Sequence, residues 1–164
     1  MNLYMTSGTP EFMQSIKKKY LKEEIFLLHG TGNSVLIHES SGKSVFQVPR
    51  RYEILESAGE FSHTGYFVLQ HIPITDEGRI IFEHQYTNLS ATTQNEPGFI
   101  ALRVLKPIKS DTYIILSEWS GSSSYEVWAK SVNLDFSIVA DKQNIFTSAP
   151  YVSTYHSTEE EGAF

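Results

Sequence analysis

The sequence contains no cysteine. Disulfide bonds, thiolate metal sites and cysteine nucleophiles are therefore excluded, and the absence fits a reducing compartment such as the cytosol. No apolar run approaches the ~20 residues that a membrane-spanning helix needs. The first residues, MNLYMTSGTPEF, lack the basic and apolar regions of a signal peptide. We therefore expect a soluble protein of the cytoplasm with no membrane partner.

Basic residues are also few. The chain has 13 Lys and Arg against 19 Asp and Glu, which gives a net charge of −6 and a pI of about 5.5. This charge argues against a nucleic-acid partner, and the basic clusters Lys17–Lys19 and Arg50–Arg51 are too short to form a surface for one. Aromatic residues, by contrast, make up 13% of the 164 residues, enough for one core or two small fused cores.

The first part of the chain alternates strand and helix signals. Thr9 followed by Pro10 is a typical helix start, and Phe12, Ile16 and Tyr20 place one apolar stripe on the helix that follows. Runs of β-branched and aromatic residues bounded by Gly and Ser indicate strands. The predicted order is strand 2–7, a helix from Thr9, strands 24–29 and 34–39, and a short helix 50–57 after Pro49.

The second part repeats this order with stronger signals. The predicted elements are strand 65–75, helix 78–88, a turn at 95–98, strands starting at 99 and 112, helix 125–131 and strand 152–156. Two strand–helix–strand–strand–helix units are typical of a ferredoxin-like α+β fold. We therefore predict two βαββα halves, a smaller one at 1–63 and a second at 64–158, followed by an acidic tail at 159–164. They would form one barrel-like core, in a pseudo-symmetric monomer or a homodimer.

Several segments resemble a known family. GYFVLQHIPITDEG, NEPGFIALRVLKP, DTYIILSEW and YEVWAKS are similar to the antibiotic biosynthesis monooxygenase (ABM) domain of IsdG-type and HmoB-type haem-degrading monooxygenases. LYMTSGTPEF, SVLIHE and RRYEILESAGEF also resemble the first half of HmoB and of the staphylococcal protein TRAP. The resemblance implies a dimeric α/β-barrel fold. It also implies a haem between sheet and helices that is both substrate and cofactor, with O₂ and an electron donor as further partners.

The resemblance also assigns site residues. Trp128 stands at the position of the haem-contacting Trp, and Gln70 at the position of the amide that hydrogen-bonds the distal ligand. The proximal His is expected ten residues after the Trp, where this chain has Ile138, whose side chain has no lone pair for iron. His84, on the predicted helix 78–88, is then the best substitute axial ligand. Three arginines, Arg50, Arg51 and Arg103, are candidate partners for the haem propionates or another anionic ligand, with a plain surface position as the alternative.

Other residues leave alternatives open. Gln70 and its neighbour His71 should face opposite sides of their strand, and so should Glu118 and Trp119. Glu118 is a candidate base of the kind found in other ABM-fold oxygenases, or a plain surface carboxylate. Trp128 either lines a cavity or belongs to the core. The sequence has no zinc-type His spacing and no Gly-x-Ser-x-Gly nucleophile pattern.

Three functions are compatible with these residues. The first is an O₂-dependent monooxygenase that opens haem and releases iron, for which Ile138 removes the expected axial ligand. The second is a non-catalytic module that binds haem or another small apolar molecule. The third is a TRAP-like stress or regulatory protein whose surface matters rather than its pocket.

Overall fold

The computed structural model describes residues 1–132 and 145–157. Ile138 and the predicted acidic tail lie outside the described residues. In chain order the elements are β1 (Asn2–Gly8), α1 (Pro10–Lys19), β2 (Ile25–His29), β3 (Ser34–Ser40), β4 (Arg50–Gly59), β5 (Gly65–Pro73), α2 (Gly78–Gln85), α3 (Leu89–Thr93), β6 (Phe99–Pro107), β7 (Thr112–Trp119), α4 (Ser122–Ser131) and β8 (Tyr151–Ser157).

The strands form one closed antiparallel barrel in the order β1-β3-β2-β8-β5-β7-β6-β4. Read around the ring, it contains two four-strand sheets, β4-β1-β3-β2 and β8-β5-β7-β6, each with the 4-1-3-2 order of a ferredoxin-like unit. The sheets join where β2 pairs with β8 and where β4 pairs with β6. The prediction of an α+β, ferredoxin-like barrel is therefore confirmed. The division at residue 63 stays a prediction, because the sheet is continuous around the ring.

The predicted short helix at 50–57 is wrong, because these residues form β4. Tyr52 and Ile54 face the barrel interior while Arg51 and Glu53 are exposed, which is the two-residue period of a strand. β4 pairs with β1 on one side and with β6 on the other. These long-range pairings override the local helix signal after Pro49. The connection from β3 to β4 contains no helix, so α4 has no counterpart in the first sheet.

The helix boundaries agree in part with the predicted ones. Thr9 caps α1, and its Oγ1 accepts a hydrogen bond from the backbone N–H of Phe12 at 3.2 Å. The predicted helix 78–88 divides into α2 and α3 at Asn88, which has a left-handed backbone with φ of 75°. α4 begins at Ser122, three residues before its predicted start. Among residues 1–132 and 145–157, no helix has both the length and the apolar character to cross a membrane.

Three clusters of buried side chains hold the barrel together. The barrel interior is filled by residues such as Leu3, Phe67 and Leu116. A second cluster, here called the helix layer, lies between the outer face of β5, β6 and β7 and the helices α2, α3 and α4. A smaller third cluster lies between the first sheet and α1, around Met13. Alternate residues of β5 thus enter different clusters, and this assigns each candidate site residue to one side of the sheet.

Candidate functional site

Gln70 lies on the outer face of β5, in the helix layer. Its strand neighbours Val68 and Ile72 belong to the same layer, whereas Leu69 belongs to the barrel interior. The Gln70 side chain is buried, and its Nε2 donates a hydrogen bond to the Tyr125 hydroxyl of α4 at 2.7 Å. The amide that was predicted from the resemblance therefore faces the helices, and it is already paired with α4.

Trp128 lies in the same layer within an aromatic cluster. Its ring centroid is 5.1 Å from that of Trp119 and 6.0 Å from that of Tyr125. Its indole Nε1 donates a hydrogen bond to the Thr93 hydroxyl of α3 at 3.1 Å, and the residue is 1% exposed. The structure thus brings Gln70 and Trp128 together through Tyr125. Trp128 is a packed side chain here, so its ring would have to shift before a bound molecule could lie against it.

Two buried polar atoms of the helix layer have no hydrogen-bond partner among residues 1–132 and 145–157. They are Gln70 Oε1, an acceptor, and Trp119 Nε1, a donor. A buried polar atom that is left unpaired costs about 1–3 kcal/mol, so such atoms are uncommon in folded proteins. The amide of Gln70 can be turned over, in which case it accepts from Tyr125 and leaves its NH₂ unpaired instead. In either orientation, the layer holds hydrogen-bonding capacity that its described residues do not use.

Tyr125 is a neutral phenol in this environment. Burial raises the pKa of its hydroxyl, and the hydrogen bond from Gln70 only partly opposes that effect. The phenol therefore remains protonated at neutral pH, and its oxygen accepts the hydrogen bond from Gln70 Nε2. The sequence signal for this residue was its three-residue spacing from Trp128, which also fits simple helix packing.

The other candidate residues lie elsewhere. His84 is exposed on α2, while the buried face of that helix presents Gly78 and Phe82. Arg103 faces the barrel interior, where its guanidinium pairs with Glu39 at 2.7 Å and lies 4.7 Å from the Phe61 ring centroid. Neither His84 nor Arg103 belongs to the group formed by Gln70, Tyr125 and Trp128. Ile138 lies outside the described residues.

Glu118 is fully buried, which the sequence did not reveal. It faces the barrel interior from β7, opposite in direction to Trp119, as the strand alternation predicts. Ser62 lies over it, with its backbone N–H 2.9 Å from Oε1 and its hydroxyl 2.5 Å from Oε2. Burial raises the pKa of the Glu118 carboxyl to about 7, although the hydrogen bonds from Ser62 oppose this. No sequence motif marks this pair, because Ser62 is 56 residues away.

His71 faces away from Gln70, as predicted. Its Nε2 lies 2.8 Å from the Ser153 hydroxyl of β8, and its ring stacks on Tyr151 with 4.3 Å between centroids. Burial, with a smaller contribution from the positive charge of Arg50, lowers the pKa of His71 to about 4. His71 is therefore neutral at physiological pH.

The described residues do not fit a histidine-ligated haem. All six histidines lie within the described ranges, and α4 carries none of them. His84 and His156 are exposed, His71 is inside the barrel, and the remaining three belong to the first sheet and the β4–β5 loop. The chain has no cysteine, and its three methionines precede β2. Within residues 1–132 and 145–157, no three His, Asp or Glu side chains cluster closely enough to hold a metal ion.

Comparison with known proteins identifies the relatives of the chain. Signal transduction protein TRAP of Staphylococcus epidermidis is 28% identical over 157 residues, which covers 94% of each chain. The haem-degrading monooxygenase of Listeria monocytogenes is 25% identical over 158 residues, or 96% of this chain and 95% of that protein. A ferredoxin-fold protein from L. monocytogenes, related to antibiotic biosynthesis monooxygenases, has a TM-score of 0.82 at 24% identity, over 96% of this chain and 94% of its own. Residues 65–135 match the family model of antibiotic biosynthesis monooxygenases. Residues 65–135 therefore match the antibiotic biosynthesis monooxygenase domain, and the chain as a whole is similar to TRAP and to haem-degrading monooxygenase.

Proposed function

We propose that this ABM-domain protein binds a small apolar molecule with one polar group in its helix layer, and that it does not degrade haem through a histidine-ligated iron. The observation that carries the proposal is the pair of unpartnered polar atoms, Gln70 Oε1 and Trp119 Nε1, within an aromatic cluster. A ligand hydroxyl can donate to Gln70 Oε1 or accept from Trp119 Nε1. That pairing would offset part of the desolvation cost that these atoms carry in the free protein.

Ligand entry on this proposal requires α4 to move away from β5. The contact that this movement breaks is the hydrogen bond between Gln70 and Tyr125. The ligand hydroxyl would donate to Gln70 Oε1 or accept from Trp119 Nε1, and the aromatic rings of Trp119 and Trp128 would pack against its apolar body. A fused-ring phenol has the required combination of a flat apolar body and one hydroxyl.

A haem-degrading monooxygenase is the second candidate. It is favoured by the relative from L. monocytogenes, whose similarity to this chain extends over 95% of its length. In this case haem supplies the oxygen chemistry, and an electron donor is required. Two residues of this chain fit the haem site of such an enzyme: Gln70 as an amide donor and Trp128 as an aromatic wall. The iron ligand is the part that the described residues do not provide.

One titration separates these functions. The purified protein is titrated with haemin, and ascorbate is then added in air with catalase present, while the Soret band is recorded. We expect no saturable Soret shift. A shifted band that decays with ascorbate would overturn the proposal in favour of the monooxygenase, and a shifted band that persists would favour a haem-binding module without turnover.

Binding of a small apolar molecule in the helix layer is tested by a separate measurement. 2-Naphthol should quench the tryptophan fluorescence saturably, whereas naphthalene, which has no hydroxyl, should bind at least about tenfold more weakly. Gln70→Leu should remove this preference for the hydroxyl. His84→Ala is the matched control and should leave it unchanged. Equal binding of the two compounds would contradict the assigned role of Gln70, and no binding of either would favour the TRAP-like regulatory function.

A further inference from the structure

A groove at the start of β4 is lined by basic and apolar residues and is separate from the helix layer. It has a volume of about 310 Å³ and lies where β4 begins, beside the turn from β6 to β7 and the ring of Tyr4 on β1. The turn is fixed against β4 because the backbone N–H of Ile108 donates to the carbonyl of Arg51 at 3.2 Å. This groove is here called the anion groove, and it is lined by Tyr4, Pro49, Arg50, Arg51, Tyr52, Ile108, Lys109 and Ser110.

The anion groove is lined by three cations, Arg50, Arg51 and Lys109, and by no carboxylate of the described residues. Arg50, Arg51 and Lys109 are exposed, and none of them forms an ion pair with a carboxylate in the described ranges. The neighbouring cations behave differently. Arg103 pairs with Glu39, and Lys106 pairs with Glu83 at 3.2 Å. In a chain with a net charge of −6, three such cations around one groove concentrate positive potential there.

The walls of the anion groove are largely apolar. Four of its lining residues have aromatic or aliphatic side chains: Tyr4, Pro49, Tyr52 and Ile108. The Tyr4 hydroxyl donates to the carbonyl of Gly42 at 2.6 Å, which fixes the ring of that wall. Burial raises the pKa of the Tyr52 hydroxyl, so that wall carries no negative charge at neutral pH. A fully hydrated ion would not use these surfaces, but an ion attached to an apolar body would.

We infer that the anion groove binds a small amphipathic anion, a carboxylate or phosphate carried on an aromatic or aliphatic body. The guanidinium groups of Arg50 and Arg51 suit either group, because a guanidinium pairs with two oxygens of a carboxylate or phosphate at once. Lys109 supplies a third charge from the turn between β6 and β7. The apolar body of the ligand packs between Tyr4, Tyr52 and Ile108.

His71 reports on occupancy of the groove. The charge of Arg50 contributes to the lowered pKa of His71. A bound anion neutralises part of that charge, so the pKa of His71 should rise when the ligand binds. Any phosphate-bearing or carboxylate-bearing ligand that binds in the groove should produce this rise. The rise is specific to binding near Arg50, because an anion bound elsewhere on the surface would not neutralise that charge.

The test uses phenyl phosphate, phenylacetate and inorganic phosphate as probes of the full chain, followed by NMR of backbone amides and of the His71 ring. We expect saturable shifts at Arg51 and Lys109 and a raised His71 pKa. At least one aromatic anion should bind about tenfold or more tightly than inorganic phosphate. The aromatic anion that binds more tightly shows whether the groove prefers a phosphate or a carboxylate.

Two double variants at exposed positions test the site. The first, Arg50→Gln/Lys109→Gln, removes two charges of the groove. The second, Lys18→Gln/Lys22→Gln, is the control and removes two charges on α1 and just beyond it. The first pair should weaken binding at least about tenfold, and the second should leave it unchanged. Equal weakening by both pairs would mean a general charge effect and would overturn the site. So would the absence of saturable binding, or equal affinity for inorganic phosphate, because the apolar walls would then contribute nothing.

Discussion

Replacing Glu118 with glutamine tests whether the barrel interior holds a protonated carboxyl. The Ser62 hydroxyl lies 2.5 Å from Glu118 Oε2 and 2.7 Å from the carbonyl of Thr64. A serine has one hydroxyl hydrogen, so it cannot donate to both. If that hydrogen goes to Thr64, a protonated Glu118 donates to the Ser62 oxygen, and every polar atom of the group is paired. An ionised Glu118 would compete with Thr64 for the same hydrogen.

The size and sign of the effect follow from this network. Burial raises the pKa of Glu118 from 4.5 to about 7, and each pKa unit corresponds to about 1.4 kcal/mol, so about 3 kcal/mol of stability depends on this proton. Because the folded-state pKa is the higher one, that stability is fully present below about pH 4.5. It is lost progressively up to and beyond pH 7. A glutamine side chain at this position would carry no charge at any pH and should remove this dependence.

The assay is urea unfolding followed by tryptophan fluorescence at pH 5.5, 7.0 and 8.5. We expect Glu118→Gln to gain stability relative to the parent chain as pH rises, by about 2 kcal/mol between pH 5.5 and 8.5. Glu53→Gln, at an exposed position of β4, is the control and should show no such trend. Taking the difference between variant and parent cancels the opposite pH dependence of His71. If the stability difference for Glu118→Gln is flat over this pH range, Glu118 is not protonated in the folded protein.

Three further variants probe the fold. Gly65→Ala should destabilise the protein by about 1–3 kcal/mol in thermal unfolding, because its Cβ would clash with Oε2 of Glu118; an unchanged melting temperature would refute this contact. Glu39→Gln leaves the buried guanidinium of Arg103 without its counter-ion and should cost about 3–5 kcal/mol in urea unfolding, more than any exposed Glu→Gln change. Thr9→Ala removes the cap of α1 and should cost about 1 kcal/mol, whereas Thr9→Ser should cost little; equal losses would mean that capping is not the cause.

Local signals in the sequence predicted most of the elements, and their repeated order predicted the barrel, but they did not reveal that residues 50–57 belong to one of its strands. The Thr9-Pro10 start of α1 and the alternation of β5 are properties of short segments, and both were predicted correctly. β4 was misread as a helix because its partners, β1 and β6, are distant in the chain. A strand whose two edges are both paired gains its stability from contacts that no local window contains.

The candidate site shows the same limit. The resemblance and the strand period together indicated that Gln70 and Trp128 face the helices. The partners that determine their chemical state are remote, since Tyr125 is 55 residues from Gln70 and Thr93 is 35 from Trp128. Burial of Glu118 under Ser62 and the approach of Arg50 to His71 likewise depend on which strands become neighbours. Their pKa shifts therefore follow from the closed barrel, not from any motif.

The absence of a helix between β3 and β4 has a consequence for binding stoichiometry. Two identical ferredoxin-like units would give a barrel with two equivalent helix layers and two identical ligand sites. Here both sheets belong to one chain, and among the described residues only the second has a helix equivalent to α4. The described part of the chain thus offers one such layer, so a ligand of the helix layer should saturate at one per chain. Its binding curve should have a Hill coefficient of one, since a single site has no identical neighbour to which it can be coupled.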